Sequence, residues 1–457
     1  MYISRVRLKN IRGFSGRRNV DLTLTRPDGS HAGWTVLAGR NGSGKTSLLR
    51  AIALTVGGPG VAPGLIPDLR TWMTVGSKTS SAVLQLVTAP EDFQPVDERK
   101  IRDLDVKLDW LVDPDREMSR PNSQPGTTGS IVVNTPGGIE SVHRAVSPWQ
   151  ADPIGWFCAA YGPFRRLVGG SAEAQRLMST PGPAARLASL FYEDAALTEG
   201  VQWLIDKHLR ALEGKNWASE LGNAAIRILA DGLLPDHYEV SEVDSDGIWV
   251  ISRGHRFPLR EMSDGYRSVA ALVVDLIKQF HDCYGDLHFI VREGVPIVTS
   301  PGIVIIDEVD AHLHVSWQRH IGTWLKTHFP NVQFIVTTHS PYICQAADPG
   351  GLIRLPGPSD DEPPQVVDRD LYDRVVYGSG DDAVLSELFG LETPYSERAE
   401  ELRKELVPLE VGVLAGEASE ADVERYRKLR RLLNSSPSAR ADEVSARLLP
   451  TDPQPGG

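Results

Sequence analysis

Gly39-Arg40-Asn41-Gly42-Ser43-Gly44-Lys45-Thr46 stands between the strand-like Trp34-Thr35-Val36-Leu37-Ala38 and the helix-like Ser47-Leu48-Leu49-Arg50-Ala51-Ile52-Ala53-Leu54. Its glycines let the backbone wrap a phosphate chain with N–H groups, and the helix N-terminus behind it adds partial positive charge. Lys45 is spaced to reach β- and γ-phosphates, and the Thr46 hydroxyl to hold Mg²⁺. A chance Gly-rich turn would not need a strand before it and a helix after it, as a P-loop does. The stretch therefore predicts an α/β fold that binds ATP with Mg²⁺ through Gly39, Asn41, Gly42, Ser43, Gly44, Lys45, Thr46 and Ser47.

The 457 residues, 41% hydrophobic and 24% charged, suffice for one large α/β domain with additions. A formal charge of -12 argues against a globally basic nucleic-acid binder, so any DNA contact has to be a local patch. Cys158, Cys283 and Cys344 lie far apart without C-x-x-C spacing, which suggests neither a zinc cluster nor a disulfide framework and fits a reducing cytoplasm. Apolar runs such as Val269 to Val274 and Gly302 to Ile306 fall short of the about 20 residues that cross a bilayer. Met1-Tyr2-Ile3-Ser4-Arg5-Val6 reads as a strand rather than a signal peptide, so a cytoplasmic protein without membrane contact is expected.

Residues 1 to 9 and 19 to 25 alternate apolar and polar, as do Ala82 to Val87 and Leu104 to Leu111, which predicts an antiparallel flank to the nucleotide-binding sheet. Pro, Ser, Asn, Gly and Thr crowd between Asp113 and Ser130, and a mobile surface loop is expected there. From about Ser171 to Leu234 apolar residues recur at three- and four-residue intervals, the pattern of a helical insert. Tyr238-Glu239-Val240 and Ile248-Trp249-Val250-Ile251 flank Asp246-Gly247 as a hairpin. After Pro349 a loop rich in Gly, Pro and Asp is expected, then a helical tail over Ser396 to Leu406 and Glu417 to Leu433. The expected division is 1–165 and 238–390 for the two parts of the nucleotide-binding head, 166–237 for the insert, 391–450 for the helical extension and 451–457 for a tail.

Gly302-Ile303-Val304-Ile305-Ile306-Asp307-Glu308 is an apolar run ending in two carboxylates, as a buried parallel strand would deliver them at its carboxyl end. Beside a P-loop it reads as a Walker B motif: Asp307 binds Mg²⁺ through water and Glu308 orients and polarises the attacking water. Phe334-Ile335-Val336-Thr337-Thr338-His339-Ser340-Pro341 repeats that plan with a single polar end, and His339 resembles the switch histidine that contacts the γ-phosphate. Leu259-Arg260-Glu261-Met262-Ser263-Asp264-Gly265-Tyr266-Arg267-Ser268 precedes an amphipathic helix carrying Val269, Leu272, Val273, Leu276, Ile277 and Phe280.

These motifs, in this order, resemble the ABC-type ATPase heads of the RecF, SMC and OLD clan. The clan's signature, Leu-Ser-Gly-Gly-Gln, reads here Met262-Ser263-Asp264-Gly265-Tyr266: Ser263 and Gly265 keep the positions that meet a γ-phosphate held by the opposite subunit, and Asp264 and Tyr266 depart. Leu8-Lys9-Asn10-Ile11-Arg12-Gly13-Phe14 resembles the first strand and turn of DNA-repair and defence ATPases of the clan, which makes Arg12 a candidate. Val309-Asp310-Ala311-His312-Leu313-His314 resembles the D-loop region, where Asp310 would lie near a dimer interface; the two histidines lack a nearby third ligand for a metal. Ala160-Tyr161-Gly162-Pro163-Phe164-Arg165-Arg166 resembles a segment of compact bacterial defence ATPases, where Arg165 could approach phosphate as a fork donor, although a plain turn with an arginine pair is an equal reading. Gln85 and Gln150 are both weak candidates for a Q-loop glutamine.

The resemblance implies a P-loop ABC-type head, a mixed sheet with an antiparallel flank, carrying a helical insert and a C-terminal helical extension. It implies an ATPase that works as a homodimer or higher even oligomer, with Glu308, His339 and Lys45 as its catalytic groups. No long heptad run separates Thr46 from Met262, which excludes SMC proteins proper, and the Asp-x-Asp pairs at Asp103/Asp105, Asp113/Asp115, Asp244/Asp246 and Asp368/Asp370 lack the context of a fused nuclease. Compact heads of this kind resemble the regulatory ATPase of anti-phage systems such as Septu, retron-linked Septu and PARIS, where the partner is a separate nuclease or toxin encoded nearby. A RecF-like repair ATPase touching DNA is the alternative, with Arg5, Arg7, Lys9, Arg12, Arg17 and Arg18 or Arg425, Arg427, Lys428, Arg430 and Arg431 as its basic stripe. A transporter subunit fits least.

Overall fold

A computed structural model describes residues 1–66, 68–92, 103–112, 126–135, 138–141, 148–149, 155–165, 172–179, 181–234, 237–391 and 393–433. Gln150, Arg166, Asp113, Asp115 and the tail 451–457 lie outside the described residues. The chain divides into two compact units, Met1–Gly378 and Ser379–Gly457.

The strands of the first unit are, in chain order, β1 (Tyr2–Lys9), β2 (Val20–Thr23), β3 (Gly33–Ala38), β4 (Thr79–Val87), β5 (Asp103–Leu111), β6 (Gly126–Thr135), β7 (Gly138–Ser141) and β8 (Cys158–Tyr161). They continue with β9 (Glu239–Asp244), β10 (Gly247–Ser252), β11 (His255–Pro258), β12 (Phe289–Arg292), β13 (Val295–Val298), β14 (Gly302–Ile306), β15 (Val332–Thr338), β16 (Leu352–Arg354) and β17 (Gln365–Val366). One sheet runs β17-β16-β3-β15-β14-β8, parallel except for β17 at its edge, and a second, antiparallel sheet runs β2-β1-β4-β5-β6-β7. This is the expected α/β head with its mixed sheet and antiparallel flank.

Sequence pattern accounts for the two sheets separately. β14 and β15 are buried at every position, as continuous apolar runs covered on both faces must be. β4 and β5 bury alternate residues, and that buried face packs on the P-loop helix, Lys45–Gly57, in a shared core with Trp72 and Trp110. One buried polar side chain bridges the sheets beside their shared core: Gln333 on β15 accepts from the Ile3 N–H at 2.7 Å and donates to the Ile3 carbonyl at 2.8 Å.

The helical pattern resolves into helices Ala172–Ser179, Pro183–Phe191, Thr198–Leu212 and Asn216–Ala230. Helix Asp264–Tyr284 buries the face read from the sequence, including Val269, Leu272, Val273, Leu276, Ile277 and Phe280. Two expectations are corrected. The stretch expected as loop up to Ser130 is β6 from Gly126 onward, paired to β5 from Leu111 downward; Gly129 leaves room for the Trp149 ring, which an added Cβ would meet at 2.5 Å. The expected loop after Pro349 instead carries β16, β17 and helix Arg369–Tyr377, elements too short for a periodic signal. In the second unit, helices Glu397–Ala415 and Glu420–Leu432 begin at the capping serines Ser396 and Ser419 and are joined by Arg425 to Glu405 at 2.6 Å.

Candidate nucleotide site

β3, β15, β14 and β8 run parallel, so their carboxyl ends fall on one edge and deliver the P-loop, the segment Thr337–Ser340, Asp307–Glu308 and Tyr161–Arg165 to the same place. The P-loop turns through Gly42 at φ 77° and Gly44 at φ 97°, conformations that glycine adopts without strain. At Gly44 a side chain is also barred sterically, because an added Cβ would lie 2.6 Å from Cζ of the buried Phe14. Phe14 thus packs the turn after β1 directly under the loop.

A cleft of about 260 Å³ opens over the loop, lined by Asn41, Gly42, Gly44, Lys45, Thr46, Ser47, Glu308 and His339. The Lys45 ammonium donates to the Gly39 carbonyl at 2.8 Å and the Arg40 carbonyl at 3.2 Å; burial lowers its pKa, opposed by Asp307, Glu308 and Asp310. Ser43 is buried, and its hydroxyl has no hydrogen-bond partner among the described residues. Beside the cleft the Thr46 hydroxyl donates to Asp307 Oδ2 at 2.7 Å, and Thr337 donates its hydroxyl to Asp307 Oδ1. A hydroxyl and a buried carboxylate so placed are hard oxygen donors of the kind Mg²⁺ takes, and they fit it.

Glu308 follows at φ 45°, its N–H donating to Thr337 Oγ1 at 2.7 Å. Burial raises its pKa, and Asp307 and Asp310 add to the rise. Across the cleft His339 has its pKa lowered, by burial first and then by Lys45, which favours a neutral imidazole near pH 7. Asp310 does not line the cleft and accepts from Thr338 Oγ1 at 2.6 Å. Arg12, at φ 47°, donates to Ser47 Oγ at 3.3 Å and lies 5.1 Å from the Trp72 ring centroid.

Arg165 is placed differently from the sequence reading. Its guanidinium is buried behind the turn and donates to main-chain carbonyls of Gly162, Asp307, Glu308, Val309 and Ala311, and it does not line the cleft. Burial lowers its pKa to about 10, which leaves it charged at neutral pH. Neither fork donation to a phosphate in the cleft nor a surface arginine pair describes that position.

Ser263 and Gly265 line a second, apolar cavity with Leu233, Leu234, Tyr266, His312 and Trp317, apart from the P-loop cleft. Ser263 is exposed and its side chain makes no capping hydrogen bond to helix Asp264–Tyr284, so it is not an ordinary N-cap. Gly265 packs on the segment 309–314 of its own chain: an added Cβ would lie 2.4 Å from the His312 carbonyl oxygen.

Two groups were not read from the sequence. Thr337 bridges Asp307 and Glu308, a role that the pair Thr337-Thr338 ahead of His339 could have signalled. Asp275, buried in helix Asp264–Tyr284, accepts from Tyr161 Oη at 2.9 Å, and only the fold brings those two together. Of the basic stripe, Arg5 pairs with Asp21, Arg7 with Asp105, Arg17 with Asp361 and Arg425 with Glu405, which reduces the charge left for a nucleic-acid backbone. Gln85 lies on β4 of the antiparallel sheet. Among the described residues no helix is long and apolar enough to cross a membrane.

Known proteins resemble parts of this chain. Residues 233–345 match a family described as "AAA domain, putative AbiEii toxin, Type IV TA system", and residues 5–71 match one described as "AAA domain". The chain is 24% identical over 340 residues to Septu protein PtuA of Bacillus mycoides, covering 74% of this chain and 38% of the relative. It is 40% identical over 88 residues to the Retron Ec83 probable ATPase of Escherichia coli, covering 19% and 15%. The matched region is thus under two-fifths of the length of either relative. Among solved structures, an SMC head bound to the C-terminal winged-helix domain of ScpA superposes with a TM-score of 0.47 at 17% identity over 80% of this chain and 98% of that one. The SMC head domain from Thermotoga maritima gives 0.40 at 14% identity over 76% and 93%. By its motifs and relatives the chain resembles the ABC-type P-loop heads of the SMC and RecF clan and the ATPases of bacterial anti-phage systems.

Proposed function

We propose that the chain hydrolyses ATP to ADP and phosphate in a head-to-tail pair of copies, and that this cycle regulates a separate effector, a nuclease or toxin, in anti-phage defence. The observation that carries the reading is the separation of two cavities: the P-loop cleft holds Lys45, Glu308 and His339, whereas Ser263 and Gly265 line another. A phosphate seated in the cleft would be closed from the far side by the signature residues of a second copy. Higher even oligomers would repeat that pairing.

In each cleft the loop N–H groups and Lys45 would bind the phosphate chain. Thr46 and, through water, Asp307 would hold Mg²⁺, which neutralises charge on the phosphate oxygens. Glu308 would orient the attacking water and take its proton at the carboxylate, and the neutral His339 would donate to the γ-phosphate. Asp310 would lie at the dimer interface, and Arg12 would steady Ser47 at the mouth. The division into head, insert at 166–237, and extension at 391–450 is part of the same proposal, as is a cytoplasmic location.

The Septu and retron relatives support the defence role, and the paired arginines of the basic stripe set the DNA-repair reading behind it. Mass measurement in solution tests the pairing. ATP with Mg²⁺ should double the mass of Glu308→Gln, in which turnover no longer reopens the pair; a protein that stays monomeric with ATP yet releases phosphate at full rate refutes it. For the partner, purification with the neighbouring gene products should retain an effector, and its absence with and without ATP counts against regulation.

A further inference from the structure

Arg165 is 3% exposed, and both terminal nitrogens of its guanidinium are turned toward main chain. Nη1 donates to the Gly162 carbonyl at 3.1 Å and the Asp307 carbonyl at 3.2 Å, while Nη2 donates to the carbonyls of Glu308, Val309 and Ala311, each at 3.3 Å. Four of these carbonyls belong to the turn that leaves β14. That turn holds Glu308 at φ 45° and His312 at φ 66°, left-handed conformations that cost non-glycine residues free energy and persist only where the surroundings impose them.

The surroundings are divided between the two kinds of main-chain group. The N–H groups of the first three residues are tied to neighbouring strands, Asp307 to the Tyr161 carbonyl at 2.8 Å, Glu308 to Thr337 Oγ1 at 2.7 Å and Val309 to the Thr337 carbonyl at 3.0 Å, while the Ala311 N–H returns to the Glu308 carbonyl at 2.9 Å. The carbonyls converge on the opposite side, where aligned dipoles would repel one another without a cation between them. A guanidinium, with several donors in a rigid fork, can satisfy carbonyls of several residues at once; an ammonium is a single point.

We propose that Arg165 is a positioning residue: by gathering the carbonyls of Asp307, Glu308, Val309 and Ala311 it holds the Glu308 side chain over the P-loop cleft in the orientation that activates water. The inference rests on the reading of Glu308 given above, and it assigns Arg165 no contact with substrate.

The test compares wild type, Arg165→Lys, Arg165→Gln, Glu308→Gln and the double variant Arg165→Lys/Glu308→Gln for thermal melting, ATP affinity with Mg²⁺, and single-turnover phosphate release. Arg165→Lys should melt cooperatively, bind ATP within about two-fold of wild type and lose about 10- to 100-fold in turnover, the range expected when a supporting group lets a reacting one drift. Added to Glu308→Gln, the same change should cost nothing further, because the group it positions is gone. Should Arg165→Lys fail to fold, Arg165→Gln, which keeps a planar N–H donor on a shorter stem, carries the same comparison. A folded variant with wild-type turnover overturns the positioning role alone, and so does a loss of ATP affinity in step with turnover, which would mark a phosphate contact. An equal further loss in the double variant overturns it as well, as the sign of a general structural role. Undiminished release by Glu308→Gln overturns the site reading and the positioning role together.

Discussion

The Thr46 hydroxyl and the Asp307 carboxylate, 261 residues apart in the chain, meet at 2.7 Å, so the P-loop helix and the end of β14 are joined by one hydrogen bond at the place where a divalent cation would sit. Thr46→Val and Asp307→Ala should each leave the binding of ATP in excess chelator within about three-fold of wild type while removing the tightening that Mg²⁺ brings. Titrations of ATP with and without Mg²⁺ check this; a variant that keeps the full Mg²⁺ effect places the cation elsewhere.

Glu308→Gln keeps the shape of the cleft but not its base. Turnover should fall by about 10²- to 10⁴-fold with ATP affinity preserved. Phosphate release, measured beside equilibrium binding, decides it.

Ser263 and Gly265 stand two residues apart in the chain but should behave differently when replaced. Ser263 is exposed and makes no capping hydrogen bond, so Ser263→Ala should melt as wild type does and lose only ATP-dependent pairing and turnover. Gly265→Ala drives a Cβ to 2.4 Å from the His312 carbonyl and must move the first turn of its helix or the segment 309–314. It should therefore lower the melting temperature too. Parallel melting curves and ATP-dependent mass separate the two, and equal melting would deny the Gly265 contact.

Gly44→Ala meets two penalties, the left-handed φ of 97° and Phe14 Cζ at 2.6 Å. A loss of about 1–3 kcal/mol in urea unfolding is expected, together with loss of ATP binding. A midpoint equal to wild type would mean that the loop has another way to turn.

Asp275 is buried with its pKa raised, chiefly by burial, so the native state binds its proton more tightly than the unfolded chain does. Between the unfolded pKa near 4 and the raised native value, stability should fall as pH rises, since there the native state carries more protons. Asp275→Asn should flatten that limb of the stability curve in urea unfolding from pH 4 to 8. An unchanged slope assigns the limb to other groups.

The motifs that deliver side chains from strand ends were legible because each is an apolar run that stops at a polar residue: Ala38 before the P-loop, Ile306 before Asp307, and Thr338, itself polar, before His339. A parallel sheet turns those sequence ends into one spatial edge, so reading the strands was nearly reading the site. What was not legible depends on contacts across the chain. Nothing local to Arg165 distinguishes a guanidinium aimed at phosphate from one aimed at carbonyls, because the distinction lies in the positions of Glu308 and Ala311 far downstream. Similarly, β16 is three residues long and holds its place by pairing with β3, a stabilisation that no window of its own sequence carries. Thr337 escaped because a β-branched residue in a strand needs no further explanation until its hydroxyl is seen between two carboxylate-bearing residues.

Gln333 answers both the N–H and the carbonyl of Ile3 with one amide, and no other common side chain of its length carries a donor and an acceptor side by side. Hydrolysis of that amide to a carboxylate, the slow chemical ageing to which glutamine is subject, would leave the Ile3 carbonyl facing a negative charge in a dry seam. The lifetime of this polar bridge between the two sheets is thereby tied to the covalent integrity of one side chain, and the folded protein guards it by keeping water away.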